Sequence, residues 1–234
     1  MTAILKRELS AYFKSPIGYV FIAVSFLFSG AFFWFFTLSV GNTDVSYVFL
    51  GMFYVYMIFV PVLTMRLMAD ENKQRTDQLL LTAPLGLMRL VMGKFLSAYA
   101  VFMIGDLVML IYGVVLSFFA TVNWAIIFGN FIALALIGAV FVSAGLFISS
   151  LTESQMVAAI GSIALNVALA LINLIATVVP VDLIADILKS LSVFDRYHEF
   201  TTGIFSLNGV IFFVSAAFIF LFLTVRILER RRWA

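Results

Sequence analysis

Hydrophobic positions along this chain fall into long charge-free runs separated by short polar segments. Ile17 to Gly41 is the first run, entered through Lys14-Ser15-Pro16, where Pro16 suits the first turn of a helix. Val45 to Met65 is the second and Phe95 to Phe119 the third, the latter interrupted only by Asp106. Leu107 to Thr152 carries no charge at all, and its 46 residues exceed the roughly 20 that cross a bilayer as a helix. That run must turn, and Thr121-Val122-Asn123-Trp124 is the best place, with Trp124 as an interfacial anchor. The fourth span then covers 125–149, the fifth 156–179 ending at Pro180, and the sixth 209–225. The pattern predicts an all-α integral membrane protein with six transmembrane helices in one domain over 1–234.

Three segments are not plain spans. Residues 3–13 predict an amphipathic helix lying in the membrane surface, with Ile4, Leu5, Leu9, Tyr12 and Phe13 on one side and Lys6, Arg7 and Glu8 opposite. Residues 182–191 predict a second one between spans five and six, because Leu183, Ile184, Ile187, Leu188 and Leu191 recur at helical spacing. The third is a polar island, Arg66 to Lys94, holding Arg66, Asp70, Glu71, Lys73, Arg75, Asp77, Arg89 and Lys94. Such charge belongs outside lipid.

The island has internal punctuation. Arg66 to Arg75 can continue the second helix. Thr76 then serves as an N-cap with Asp77 in the first turn, Leu79, Leu80 and Leu81 follow, and Pro84 and Gly86 stop the short helix. Three leucines flanked by charge suit either a docking element or a membrane-surface helix.

Composition agrees with the runs: 64% of the 234 residues are hydrophobic and 11% charged, against about 25% charged in a soluble domain. There is no cysteine and one histidine, His198, so neither a disulfide framework nor a multi-histidine metal cluster is available. The first run is too long for a signal-peptide core and reads as a retained span. Twelve of the fourteen Lys and Arg residues fall on the side of both termini and the island, and Lys189 and Arg196 on the other. Positive residues stay inside, which predicts cytoplasmic termini in the inner membrane.

The island carries a resemblance. Met65-Arg66 to Asp70-Glu71, then Thr76 to Pro84 (TDQLLLTAP), then Gly93-Lys94, resembles the "E…T-x-x-x-L-L-x-x-P…G-K" stretch of the ABC-2 family of ATP-binding-cassette permeases, and Ser149 to Gln155 (SSLTESQ) resembles that family's turn between spans four and five. Residues 194–203 (FDRYHEFTTG) and the span after them look most like the bacterial branch that includes gliding-motility-associated permeases. The resemblance implies a permease subunit, exporting its substrate, with a cytoplasmic coupling helix between spans two and three. Thr76, Asp77, Leu79, Leu80 and Leu81 would contact a separate ATP-binding-cassette ATPase subunit, supported by Glu71 and Arg75. It also implies a second permease copy or homologue in a dimer and leaves room for an extracytoplasmic partner subunit. ATP and magnesium would sit on the partner ATPase.

No enzyme chemistry of the chain's own is legible. Gly93-Lys94 lacks the rest of a phosphate-binding loop, because Met88 stands where the first glycine belongs and Phe95 where serine or threonine belongs. Gly161-Ser162 has no base in its own segment to activate it. Asp106 is the only ionisable residue deep in a span, with a functional and a structural reading; lacking a Lys or Arg partner in the membrane, the structural one is favoured. Asn166 and Asn173 are seven residues apart on one face of span five and are candidates for a transport path or a subunit interface. Tyr47, Tyr54 and Tyr56 suit interfacial anchoring or contact with an amphiphile. The remaining readings are an ATPase-independent carrier or channel, and a membrane scaffold of a larger complex. Nothing points to nucleic acid, and the lipid bilayer is the one partner the composition demands.

Overall fold

A computed structural model describes residues 2–41, 43–74, 86–178, 192–201 and 206–233. They form helices throughout, with no strand among the described residues. The helices are α1 (Thr2–Lys14), α2 (Pro16–Phe32), a π-helical continuation (Phe33–Leu38), α3 (Ser46–Thr64), α4 (Arg66–Gln74), α5 (Leu87–Asp106), α6 (Val108–Ser117), α7 (Trp124–Leu151), α8 (Gln155–Val178), α9 (Val193–Thr201) and α10 (Leu207–Trp233). The all-α membrane architecture predicted from the runs is present.

Six stretches are long and apolar enough to cross a membrane: Pro16–Leu38, Ser46–Gln74, Leu87–Ser117, Trp124–Leu151, Gln155–Ala176 and Leu207–Arg231. Helix is the only open-ended backbone solution in lipid, because it satisfies its own amides and carbonyls. An even number of spans places α1 and the end of α10 on one side, here called the terminal face, with α4 and the start of α5. The predicted turn is present at 118–123, where Asn123 caps α7 by accepting from the Ala125 amide. The predicted helices at 76–81 and 182–191 lie outside the described residues.

Two breaks divide spans that read as continuous. Span two stops at Met65 and restarts as α4, and span three breaks between Asp106 and Val108. A short helix not anticipated from the sequence, α9, lies on the face opposite the termini. Its Tyr197 stacks on Phe53 of α3 with ring centroids 5.1 Å apart, and Phe200 packs against Phe213 of α10. Its apolar residues are too few and too interspersed with charge to register as a span.

Span four is the centre of the bundle, with 61% of its most apolar window buried, whereas span five has 17%. Small residues let neighbours come close to α7. A Cβ on Gly138 would lie 2.2 Å from the ring of Phe102 on α5, and one on Gly145 would lie 2.1 Å from Thr64 Oγ1 on α3. Both positions therefore admit only hydrogen unless the opposing side chain, Phe102 or Thr64, shifts. Gly138→Ala should lower stability by about 1–3 kcal/mol, the usual cost of overpacking a core. Gly86→Ala, which meets nothing within 4 Å, should leave it unchanged. Thermal unfolding of the two variants in the same detergent compares them directly.

Candidate functional site at the stalk helix

α4 is the helix through which span two runs toward residues 75–85. It is held from two sides, and the hold begins with burial of its own apolar residues: Leu67, Met68 and Ala69 are inaccessible, as is Asn72. Glu71 faces the other way, toward α1 and α5.

On that side lies the one buried cation among the described residues. Lys94, in the second turn of α5, has 1% of its side chain exposed. Its Nζ lies 2.8 Å from Glu71 Oε1 and 3.5 Å from Glu8 Oε1, and donates to Leu67 O at 2.6 Å. Three acceptors match the three protons of an ammonium, so the charge is fully solvated by protein. The island's charges were expected in water; Lys94 is instead under α1 and α4, because two carboxylates and a carbonyl replace its hydration. Arg7 closes the cluster from outside, 2.6 Å from Glu8 and 3.2 Å from Glu71. The hydrogen bond to Glu8 leads the effects that hold the Arg7 guanidinium above its ordinary pKa. With about half its side chain exposed, Arg7 adds little stability of its own.

α1 is fastened to span two a turn further along. Tyr12 is buried and its hydroxyl donates to Leu63 O at 2.9 Å, while Arg66 donates to Ala11 O at 3.3 Å and lies over the Tyr12 ring. Burial pushes the Tyr12 hydroxyl well above its ordinary pKa, which keeps it a donor. The predicted apolar side of α1 thus packs on protein at Ile4 and Tyr12, and Glu8, assigned to the polar side, points inward as an ion-pair partner.

On the second side, α4 is bonded to the turn between spans four and five. Asn72 Nδ2 donates to Thr152 O at 3.1 Å and to Ser150 O at 3.4 Å, and Gln155 donates to Asp70. Ser149 reaches the start of α4 from α7. The segment 149–155 was legible as a family-like turn; its contact with the stalk was not, because nothing local in the sequence pairs residues some 80 positions apart.

Of the predicted site residues, Glu71 is in this clamp. Arg75, Thr76, Asp77, Leu79, Leu80 and Leu81 lie outside the described residues. Asn166 donates to Met57 O at 3.3 Å, and Asn173 donates to Asp195 of α9 at 2.6 Å. The two asparagines share a face of α8, as their spacing predicts, but only Asn173 lines a cleft. That cleft, about 300 Å³, lies between α3, α8 and α9 and is walled by Tyr54, Met57, Leu171, Leu174 and Phe194. Tyr54 is on it, Tyr47 is exposed elsewhere, and Tyr56 is buried in the bundle. Asp106 is fully buried, and neither carboxyl oxygen has a hydrogen-bond partner among the described residues.

Removing the ammonium leaves Glu8 and Glu71 facing each other with part of their hydration lost. Lys94→Met should therefore destabilise by about 2–3 kcal/mol, below the 3–5 kcal/mol of a fully buried pair because both carboxylates keep some water. Adding Glu71→Gln should recover part of that loss, and chemical unfolding of the two single variants and the double measures the coupling.

No curated protein matches the chain in sequence comparison. Residues 37–233 match the family described as "ABC-2 family transporter protein", which covers spans two to six whole and with them the clamped stalk. On six membrane-spanning helices and that match, the chain belongs to the ABC-2 family and is a multi-pass permease of an ABC transporter.

Proposed function

We propose that the chain is the export permease of an ABC transporter whose ATPase is a separate subunit. The carrying observation is the clamp on α4, which ties one helix to α1 through Glu71 and Arg7, to the start of span three and to the turn between spans four and five. Residues 76–81 follow α4 directly in sequence, so a push on them would reach three spans together. In this reading Thr76, Asp77 and the leucines Leu79, Leu80 and Leu81 contact the ATPase, and Glu71 and Arg75 hold the base of that contact. ATP and magnesium belong to the partner. The terminal face is cytoplasmic, which the excess of Lys and Arg on that side supports.

Span five is the least covered span and carries the cleft beside span two. A second permease copy set against that face would enclose the cleft, and Asn173 and Tyr54 would offer its polar atoms to an otherwise apolar substrate. The chain then works as a dimer in the inner membrane. Residues 194–203 support placement in the gliding-motility-associated branch. An ATPase-independent carrier is the reading that Asp106 would favour, and it predicts flux in vesicles that lack nucleotide.

Replacing Leu79, Leu80 and Leu81 together by Asp should abolish co-purification with the ATPase while leaving the thermal unfolding of the permease unchanged. Retained co-purification would reject the docking role. Orientation is checked separately, because the chain has no cysteine of its own. A cysteine at Lys73, which is exposed, should react with a membrane-impermeant maleimide in inside-out vesicles and not in whole cells.

A further inference from the structure

Span two reaches the stalk through two gaps in its own hydrogen-bond ladder. Pro61 sits inside α3 and has no amide proton, so Met57 O loses its donor from within the helix. At Met65 the helix ends and restarts, and the first four amides of α4 have no partner inside it. Other helices fill both gaps. Asn166 Nδ2, from span five, donates to Met57 O at 3.3 Å. Ser149 Oγ, from span four, accepts from the amides of Met68 and Ala69, both at 3.1 Å, and donates to Met65 O at 2.9 Å.

These bonds differ from the usual behaviour of polar residues in a membrane helix. A serine there commonly bonds a carbonyl of its own preceding turn, as Ser143 and Ser162 do with Val140 O and Ala158 O. Ser149 bonds a different helix through both its lone pairs and its proton. It can reach because Gly145, one turn earlier on the same face, brings α7 against Thr64. Asn166 and Ser149 are fully buried, so water does not stand in for either.

We propose that Asn166 and Ser149 are positioning residues that set the angle between span two and the stalk, by completing its ladder from span five at Pro61 and from span four at Met65. A stalk held this way cannot tilt on span two alone; spans four and five must move with it or release a bond. The inference rests on α4 as the link to the ATPase for its use in transport, but the bonds themselves are tested without that partner.

The chain in lipid nanodiscs, spin-labelled at Lys73→Cys on the stalk and Ile58→Cys on span two, reports the angle as a distance distribution. Both native side chains are exposed. Asn166→Leu should widen that distribution about twofold, the scale of losing one buried hydrogen bond at a hinge. Pro61→Ala gives Met57 O a donor of its own, so Asn166→Leu in that background should return to the native width. Ser149→Ala should widen the distribution with or without Pro61→Ala. It should also speed hydrogen exchange at Met68 and Ala69 about tenfold, while amides in the middle of α7 keep their protection. A native width in Asn166→Leu, or no rescue by Pro61→Ala, would overturn the proposal for Asn166. Unchanged exchange at Met68 and Ala69 would overturn it for Ser149. If Asn166→Leu does not fold, folding of the double variant supports the proposal and its failure overturns it. Loss of ATPase docking in the leucine variants has no bearing on these distances, so the two readings fail separately.

Discussion

A backbone carbonyl inside a bilayer has no water to turn to, and span two breaks its own ladder where it leaves the membrane. The rest of the terminal face is organised around repairing that break. Between Met57 and Leu67, four carbonyls accept side-chain donors from four different helices: Met57 from Asn166 of α8, Leu63 from Tyr12 of α1, Met65 from Ser149 of α7 and Leu67 from Lys94 of α5. An uninterrupted helix would have offered those neighbours far less to hold. The irregularity at Pro61 and Met65 leaves carbonyls of one span open to donors from its neighbours, Met57 to Asn166 and Met65 to Ser149.

The charge cluster follows from the same geometry. Lys94 is carried into the protein because Leu67 O lies where the ammonium can reach it, and the buried charge then needs Glu71 and Glu8. α1 is thereby more than a surface anchor: it supplies a counter-charge and a phenol to the interior. This arrangement links the surface helix, the stalk and three spans through short bonds. Asp106 makes no bond to this joint among the described residues, whereas the cleft beside span two shares Met57 with it.

Much of the architecture was legible. The charge-free runs count six spans, the turn before Trp124 falls where a 46-residue run has to bend, and the amphipathic pattern of residues 3–13 is a helix. Less of the site was. Glu71 was singled out from the family-like stretch, but nothing there paired it with Lys94, one of the island's charges in the same stretch, and Ser149 was one of three serines in a family-like turn. The asparagines of span five were grouped by spacing, which places them on one face correctly and says nothing of depth: Asn166 turns to the Met57 carbonyl that Pro61 leaves without a donor, while Asn173 turns to a helix, α9, that the hydropathy pattern does not announce.

The sequence by itself determined which segments lie in lipid, because transfer of charge into hydrocarbon is costly enough to be read residue by residue. It also determined that span two would have a ladder defect, since a proline inside a helix removes a donor wherever the helix packs. Which groups would repair the defect was decided only by the tertiary structure. A buried hydrogen bond is directional and spans a few ångströms, and the donors come from positions 12, 94, 149 and 166, far apart in the sequence and brought together only by the packing of four helices on span two.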